Sequence, residues 1–166
     1  KLGVTVVVPQ LSFQGLEGTR LLGAPRNGFR VCWQVPGAAT PQQASASDQP
    51  IELSITDQSS AGIVSGIYDQ STGGNAMTQV LIRAGEYCSA TVYLESPSAT
   101  GSYTVTAGVA GAPASVSPAQ TVQRLSLRFN KTNAVIGRGL QTGEAEFAIE
   151  RLLDGVPYRD SAPLTV

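Results

Sequence analysis

The sequence predicts an all-β protein: an antiparallel β-sandwich over residues 1–123, then the opening strands of a second similar unit over 124–166. Three observations predict it. Short segments alternate apolar and polar residues, turn-forming clusters separate them every 8 to 12 residues or so, and helical periodicity is nearly missing. With 42% apolar and 14% charged residues in 166, the chain has the composition of something that packs a core.

The first element is "VTVVV", Val4 to Val8, within the stretch 1–10. It is far shorter than the roughly 20 residues a membrane-crossing helix needs, so it reads as an entry strand or as a donor to a neighbouring chain. Val4, Val6 and Val8 are its expected assembly contacts. "RLLG" and "FRVCWQV" follow as strands, with Val31, Trp33 and Val35 turned toward the core and Trp33 as an anchor. Small, polar and proline-bounded, the segment from Pro36 to Pro50 is expected to be a long exposed loop.

"IELSI", "GIVSGIY", "TQVLI", "SATVYLE", "SYTVTAGV" and "RLSLRF" then supply further strands. The turns between strands are "APRNG", "STGGN", "RAGE" and "SPSATG", each with Gly, Asn or Pro where a positive or fixed φ is useful. "EAEFAIERLL" has good helix formers, but Ala145, Phe147 and Ile149 alternate with glutamates, so it is expected to be a strand. "LDGVP" is a further turn, and "APLTV" closes the chain with Leu164 and Val166 as a second assembly edge.

A pattern is written twice. A shift of 114 positions places Leu11 on Leu125, Phe13 on Leu127, Leu22 on Ile136, and Val31, Trp33 and Val35 on Ala145, Phe147 and Ile149. Trp33 and Phe147 are therefore expected to be matching core anchors. The second copy ends where the first has completed only "QPIEL", which predicts that its apolar face is covered by further polypeptide, by the first unit of the same chain, or by a strand from a neighbouring subunit.

Several stretches carry a resemblance. "PIELSITDQSSAGIVSG", then "TQVLIRAGEYCSATVYLESPSATGSYTVTAGVAG", resembles the tandem immunoglobulin-like repeats of large bacterial surface and secreted proteins, in which a "GxYTVTA" strand closes the domain. The resemblance implies an immunoglobulin-like form of the sandwich and an extracellular, non-catalytic, spacer-like or adhesive module.

Charge excludes other classes. Eleven basic and twelve acidic residues are dispersed, with no stripe for a phosphate backbone, so no nucleic-acid partner is expected. Histidine is missing, which removes the commonest general base and zinc ligand and forbids a Ser-His-Asp triad. Glu144, Glu146 and Glu150 crowd together, yet on one strand face they read as a solvated side. No catalytic, metal or cofactor residue is assigned. "NKT" at Asn130 matches a glycosylation acceptor without further support.

Cys32 and Cys88 lack any metal-ligand spacing. The Ser-, Thr-, Gly- and Gln-rich, Lys-poor composition looks secreted, which favours a disulfide within the chain; reduced thiols or a bond to another subunit are the alternatives. If Val31 and Trp33 face inward, period two turns Cys32 outward, so a bridge across the outer surface or an edge is expected. Tyr87 and Tyr93 share a parity and are expected on one face.

The expected localisation is the cell surface or the extracellular space, with any export signal removed or lying outside this sequence. The expected function is structural: assembly with copies of itself or with neighbouring repeats by strand pairing, as in a filament. A glycan- or protein-binding adhesin module and a virion tail or decoration protein are the alternatives.

Overall fold

The computed structural model describes residues 10–35, 45–58, 62–110, 112–129 and 149–158. The chain divides into two compact units, Lys1–Val122 and Gln123–Val166. The expected contacts Val4, Val6, Val8, Leu164 and Val166, the anchor Phe147, Asn130, and Glu144 and Glu146 all lie outside the described residues.

The first unit is a β-sandwich. One sheet holds, in spatial order, β1 (Gln10–Gln14), β3 (Asn27–Gln34), β8 (Val92–Leu94), β5 (Ile67–Tyr68) and β6 (Ala76–Met77). The other holds β2 (Thr19–Leu21), β11 (Gln120–Gln123), β9 (Gly101–Gly108), β4 (Gln49–Asp57) and β7 (Gln79–Ile82), with β10 (Ser115–Val116) also on β9. All registered pairs are antiparallel, and the distribution of strands between sheets is that of an immunoglobulin-type fold. No helix occurs among the described residues.

Period two produces the core. Along β7, Val80 and Ile82 are buried while Gln79 and Leu81 are exposed; along β4, Ile51 and Leu53 are buried while Glu52 and Ser54 are exposed. These side chains meet Phe29, Val31, Val92, Leu94, Tyr103, Val105 and Val122 in one cluster between the sheets. Trp33 packs against that cluster but stays half-buried, short of a full core anchor.

Two expected boundaries move. The loop expected to reach Pro50 ends sooner, because Gln49 and Pro50 already pair with Ile82 and Leu81. Proline is tolerated there since pairing to β9 begins only at Glu52, so the missing N–H faces no partner strand. "GIVSGIY" is a strand only at Ile67 and Tyr68. Ile63 is buried without a ladder; its N–H donates to Asp57 Oδ2 at 2.9 Å, and its carbonyl accepts from Ser98 N at 2.9 Å.

The same serine device interrupts both sheets. Ser89 N donates to the Val31 carbonyl while Ser89 Oγ accepts from Val31 N at 3.1 Å; Ser117 N donates to the Val105 carbonyl while Ser117 Oγ accepts from Val105 N at 3.0 Å. In each case the hydroxyl stands in for a backbone carbonyl, and one extra residue enters the strand. Phe29 faces Val92, whereas Cys32 faces Cys88, so the segment from Ser89 to Thr91 is a one-residue bulge. Its phase change overturns the expectation for the tyrosines: Tyr93 lies on the face of Cys88, opposite the face of Tyr87.

Among the described residues the second unit forms a three-stranded sheet, β12 (Leu125–Phe129), β13 (Ile149–Leu153) and β14 (Val156–Pro157). The described part of "EAEFAIERLL" is thus a strand. Asp154 and Gly155 join β13 to β14 with φ of 48° and 84°, the two positive values that a type I′ hairpin turn requires. Arg124 N donates to Asp154 Oδ1 at 2.7 Å and Asp154 N to the Arg124 carbonyl at 2.9 Å, which ties the turn to the start of β12.

The equivalence by 114 positions fails across this sheet. In the first unit Leu11 faces Trp33, so a strict repeat would set Leu125 opposite Phe147; instead Leu125 faces Leu153, six residues further on. An even offset keeps every side chain on its expected face, which is why alternation cannot reveal it.

Candidate functional site

The described residues offer three surface features: a cleft beside the disulfide, a smaller pocket at Trp33, and an apolar sheet face in the second unit.

Cys32 and Cys88 are bonded, with Cα atoms 4.0 Å apart. Trp33 N donates to the Tyr87 carbonyl and Ser89 N to the Val31 carbonyl, so the cysteines form the non-hydrogen-bonded pair between those two bonds. The bridge therefore joins neighbouring strands of one sheet, on the face away from Phe29 and Val31, as the parity of Cys32 requires. That face is covered at this point, because Cys32 has no exposed surface.

Next to the bridge lies a cleft of about 620 Å³. One wall is the segment Tyr87–Val92; the other carries Met77, Val80 and Leu81, where the chain leaves β6 in one sheet and enters β7 in the other. Arg30 and Arg83 line it, and neither forms an ion pair among the described residues. Tyr87 is 47% exposed. Asp69 also lines the cleft, with its carboxylate accepting from Asn75 N at 2.8 Å.

A clamp positions that wall. Arg26 donates Nε and Nη2 to the two carboxylate oxygens of Glu95 at 3.2 and 2.8 Å, donates Nη1 to the carbonyls of Gln70 and Gly73, and lies 3.7 Å over the Tyr68 ring. Together with the β5–β8 pairing, these bonds tie the turn after Asp69 to Glu95, just beyond β8. The Arg26 hydrogen bonds, with help from Ser96 N, hold the Glu95 carboxyl at about 2, below its ordinary 4.5. A depressed carboxyl stabilises the fold fully above its unfolded value and loses that contribution as pH falls. The melting temperature of Glu95→Gln is accordingly expected to lie below wild type at pH 6, with the gap narrowing below pH 4.5 and closing near 2. A gap independent of pH would contradict this.

The pocket at Trp33 is smaller, about 370 Å³, between Leu11, Trp33, Val109, Pro113 and Val116. It makes Trp33 a wall residue as well as a core neighbour.

In the second unit, register places Leu125, Leu127 and Phe129 on the same face as Leu153, Arg151 and Ile149, with Arg151 opposite Leu127 and Val156 beside Leu153, so the face is largely apolar with one arginine at its centre. Leu127 is 60% and Val156 66% exposed. The opposite face carries Ser126, the buried Leu152 and the Arg128–Glu150 ion pair at 2.7 Å, so Glu150 has an opposite-charge neighbour across the strands. No group of three potential metal ligands and no helix able to cross a membrane occurs among the described residues.

Of the residues singled out in sequence, the structure joins Cys32 to Cys88 and sets Trp33 beside the core. It adds Arg30, Arg83 and the Arg26–Glu95 clamp, for which charge and spacing gave no signal. No protein-family model matches the chain, and no curated protein matches it.

Proposed function

We propose that the protein is an extracellular, non-catalytic structural module, of the kind found in tandem immunoglobulin-like repeats of bacterial surface proteins, that assembles through β-sheet surfaces with copies of itself or with neighbouring repeats. The observation that carries this reading is the apolar face of the second unit, on which Leu125, Leu127, Ile149 and Val156 are each 45 to 66% exposed. Exposed apolar side chains grouped on one sheet face are a surface through which sheets stack face to face, at about 10 Å, and Arg151 among them adds a charge for a partner to match. The disulfide supports an oxidising compartment. A chain without histidine suits a role without acid–base chemistry.

Sedimentation velocity across a concentration series tests it. Wild type is expected to self-associate, and Leu127→Glu/Val156→Glu to sediment as a monomer with the first unit unfolding as before. A wild-type monomer at every concentration, indistinguishable from the variant, would remove the proposal. A protein-binding module is the second reading, favoured by the cleft beside Cys88.

A further inference from the structure

The segment from Glu86 to Leu94 runs beside β3; among the described residues its other edge is paired at Tyr93 and Leu94 by β5, and at Glu86 its carbonyl accepts from Ser45 N at 2.9 Å. Among the described residues, no strand adjoins that edge from Tyr87 to Thr91. In a non-hydrogen-bonded pair the N–H and C=O groups of each residue point away from the partner strand. Cys88 therefore aims both backbone groups at the cleft, and neither has a backbone partner among the described residues.

We infer that this cleft accepts an extended peptide segment as an added strand, and that the segment alternates apolar side chains with carboxylates. The backbone of such a segment would close a hydrogen-bonded pair with Cys88, the mode by which sheet edges capture peptides. Alternate side chains then point to opposite faces of the new strand. Met77 and Leu81 give the lining an apolar, partly exposed part for the apolar set.

Arg30 and Arg83 give the lining a basic part for the carboxylates. Of the two acidic residues in the lining, Asp69 is engaged by Asn75 and lies near Arg26, which leaves Glu86 against two guanidinium groups. Carboxylates are the complement of that balance. The bulge at Ser89–Thr91 limits the new ladder to the Cys88 side, so side-chain pairing supplies much of the selectivity. The disulfide and the Ser89 hydroxyl hold the edge in place before a partner arrives, which lowers the ordering cost of binding.

The inference rests on the binding reading of the cleft and is independent of the apolar face in the second unit. Synthetic peptide EAEFAIE, the alternation found at residues 144–150, is the probe, with KAKFAIK and an EAEFAIE methylated at alternate backbone nitrogens as controls. Titration calorimetry is expected to show one site for EAEFAIE, and hydrogen exchange to show protection of the Cys88 amide. Arg30→Glu/Arg83→Glu is expected to weaken EAEFAIE about tenfold or more and to gain affinity for KAKFAIK, which also reports that the variant is folded. Absence of EAEFAIE binding, or binding indifferent to charge reversal or to N-methylation, would overturn the inference. Self-association lost in Leu127→Glu/Val156→Glu while peptide binding persists would separate the two surfaces.

Discussion

Reducing the Cys32–Cys88 bond, or replacing both residues by alanine, is expected to cost about 4 kcal/mol of stability in the chain-entropy account of a closed loop this long. The sequence separation of 56 decides the size of the effect. A crosslink between neighbours in sequence would constrain the unfolded chain little, whereas this one removes the freedom of about a third of the protein. Against a typical domain stability of roughly 5 to 15 kcal/mol, the loss is a large share. The fold itself should persist, because the flanking bonds from Trp33 N to Tyr87 O and from Ser89 N to Val31 O do not depend on sulfur. Urea titration of oxidised, reduced and Cys32→Ala/Cys88→Ala protein measures it. A shared midpoint would show that the bond contributes nothing to stability.

Phe29→Ala is expected to cost roughly 3 to 5 kcal/mol, the usual range for emptying a closed aromatic site. Phe29 is 1% exposed, faces Val92 across the sheet, and has the Phe13 ring at 6.3 Å between centroids. Neither neighbour can collapse into the void, since Val92 is held in its ladder and Phe13 in β1. Arg30→Ala is the paired control: adjacent in sequence but on the opposite face and exposed, it should move stability by no more than about 0.5 kcal/mol. Equal losses at the two positions would contradict the inward and outward alternation of β3.

The alternation of β3 was readable from "FRVCWQV" because only one phase buries Phe29 and Val31 together. The turn at Asp154–Gly155 was readable for a similarly local reason: few residue pairs accept two positive φ values. Where the reading missed, the cause was not local. Ser89 is an ordinary small polar residue until the Val31 N–H needs an acceptor, and the extra residue it admits reverses the phase of Tyr87 against Tyr93. The register of Leu125 with Leu153 was invisible because a six-residue slip preserves parity. Arg26, lone and basic in a turn, gave no hint that it would hold Glu95, Tyr68 and the loop after Asp69 together.

By itself, then, the order of residues determined that the chain is all-β, which side chains turn inward along most strands, and where several turns fall. These follow from backbone sterics and a two-residue period, which act over a few neighbours. Tertiary structure alone decided that the two cysteines lie side by side in one sheet, that among the described residues Cys88 turns its backbone, without a partner strand, to a cleft lined by two arginines, and that Leu125, Leu127, Ile149 and Val156 of the second unit are exposed. Those depend on which distant strands become neighbours, and pairing energies are nearly degenerate in sequence until packing of the whole core selects one register.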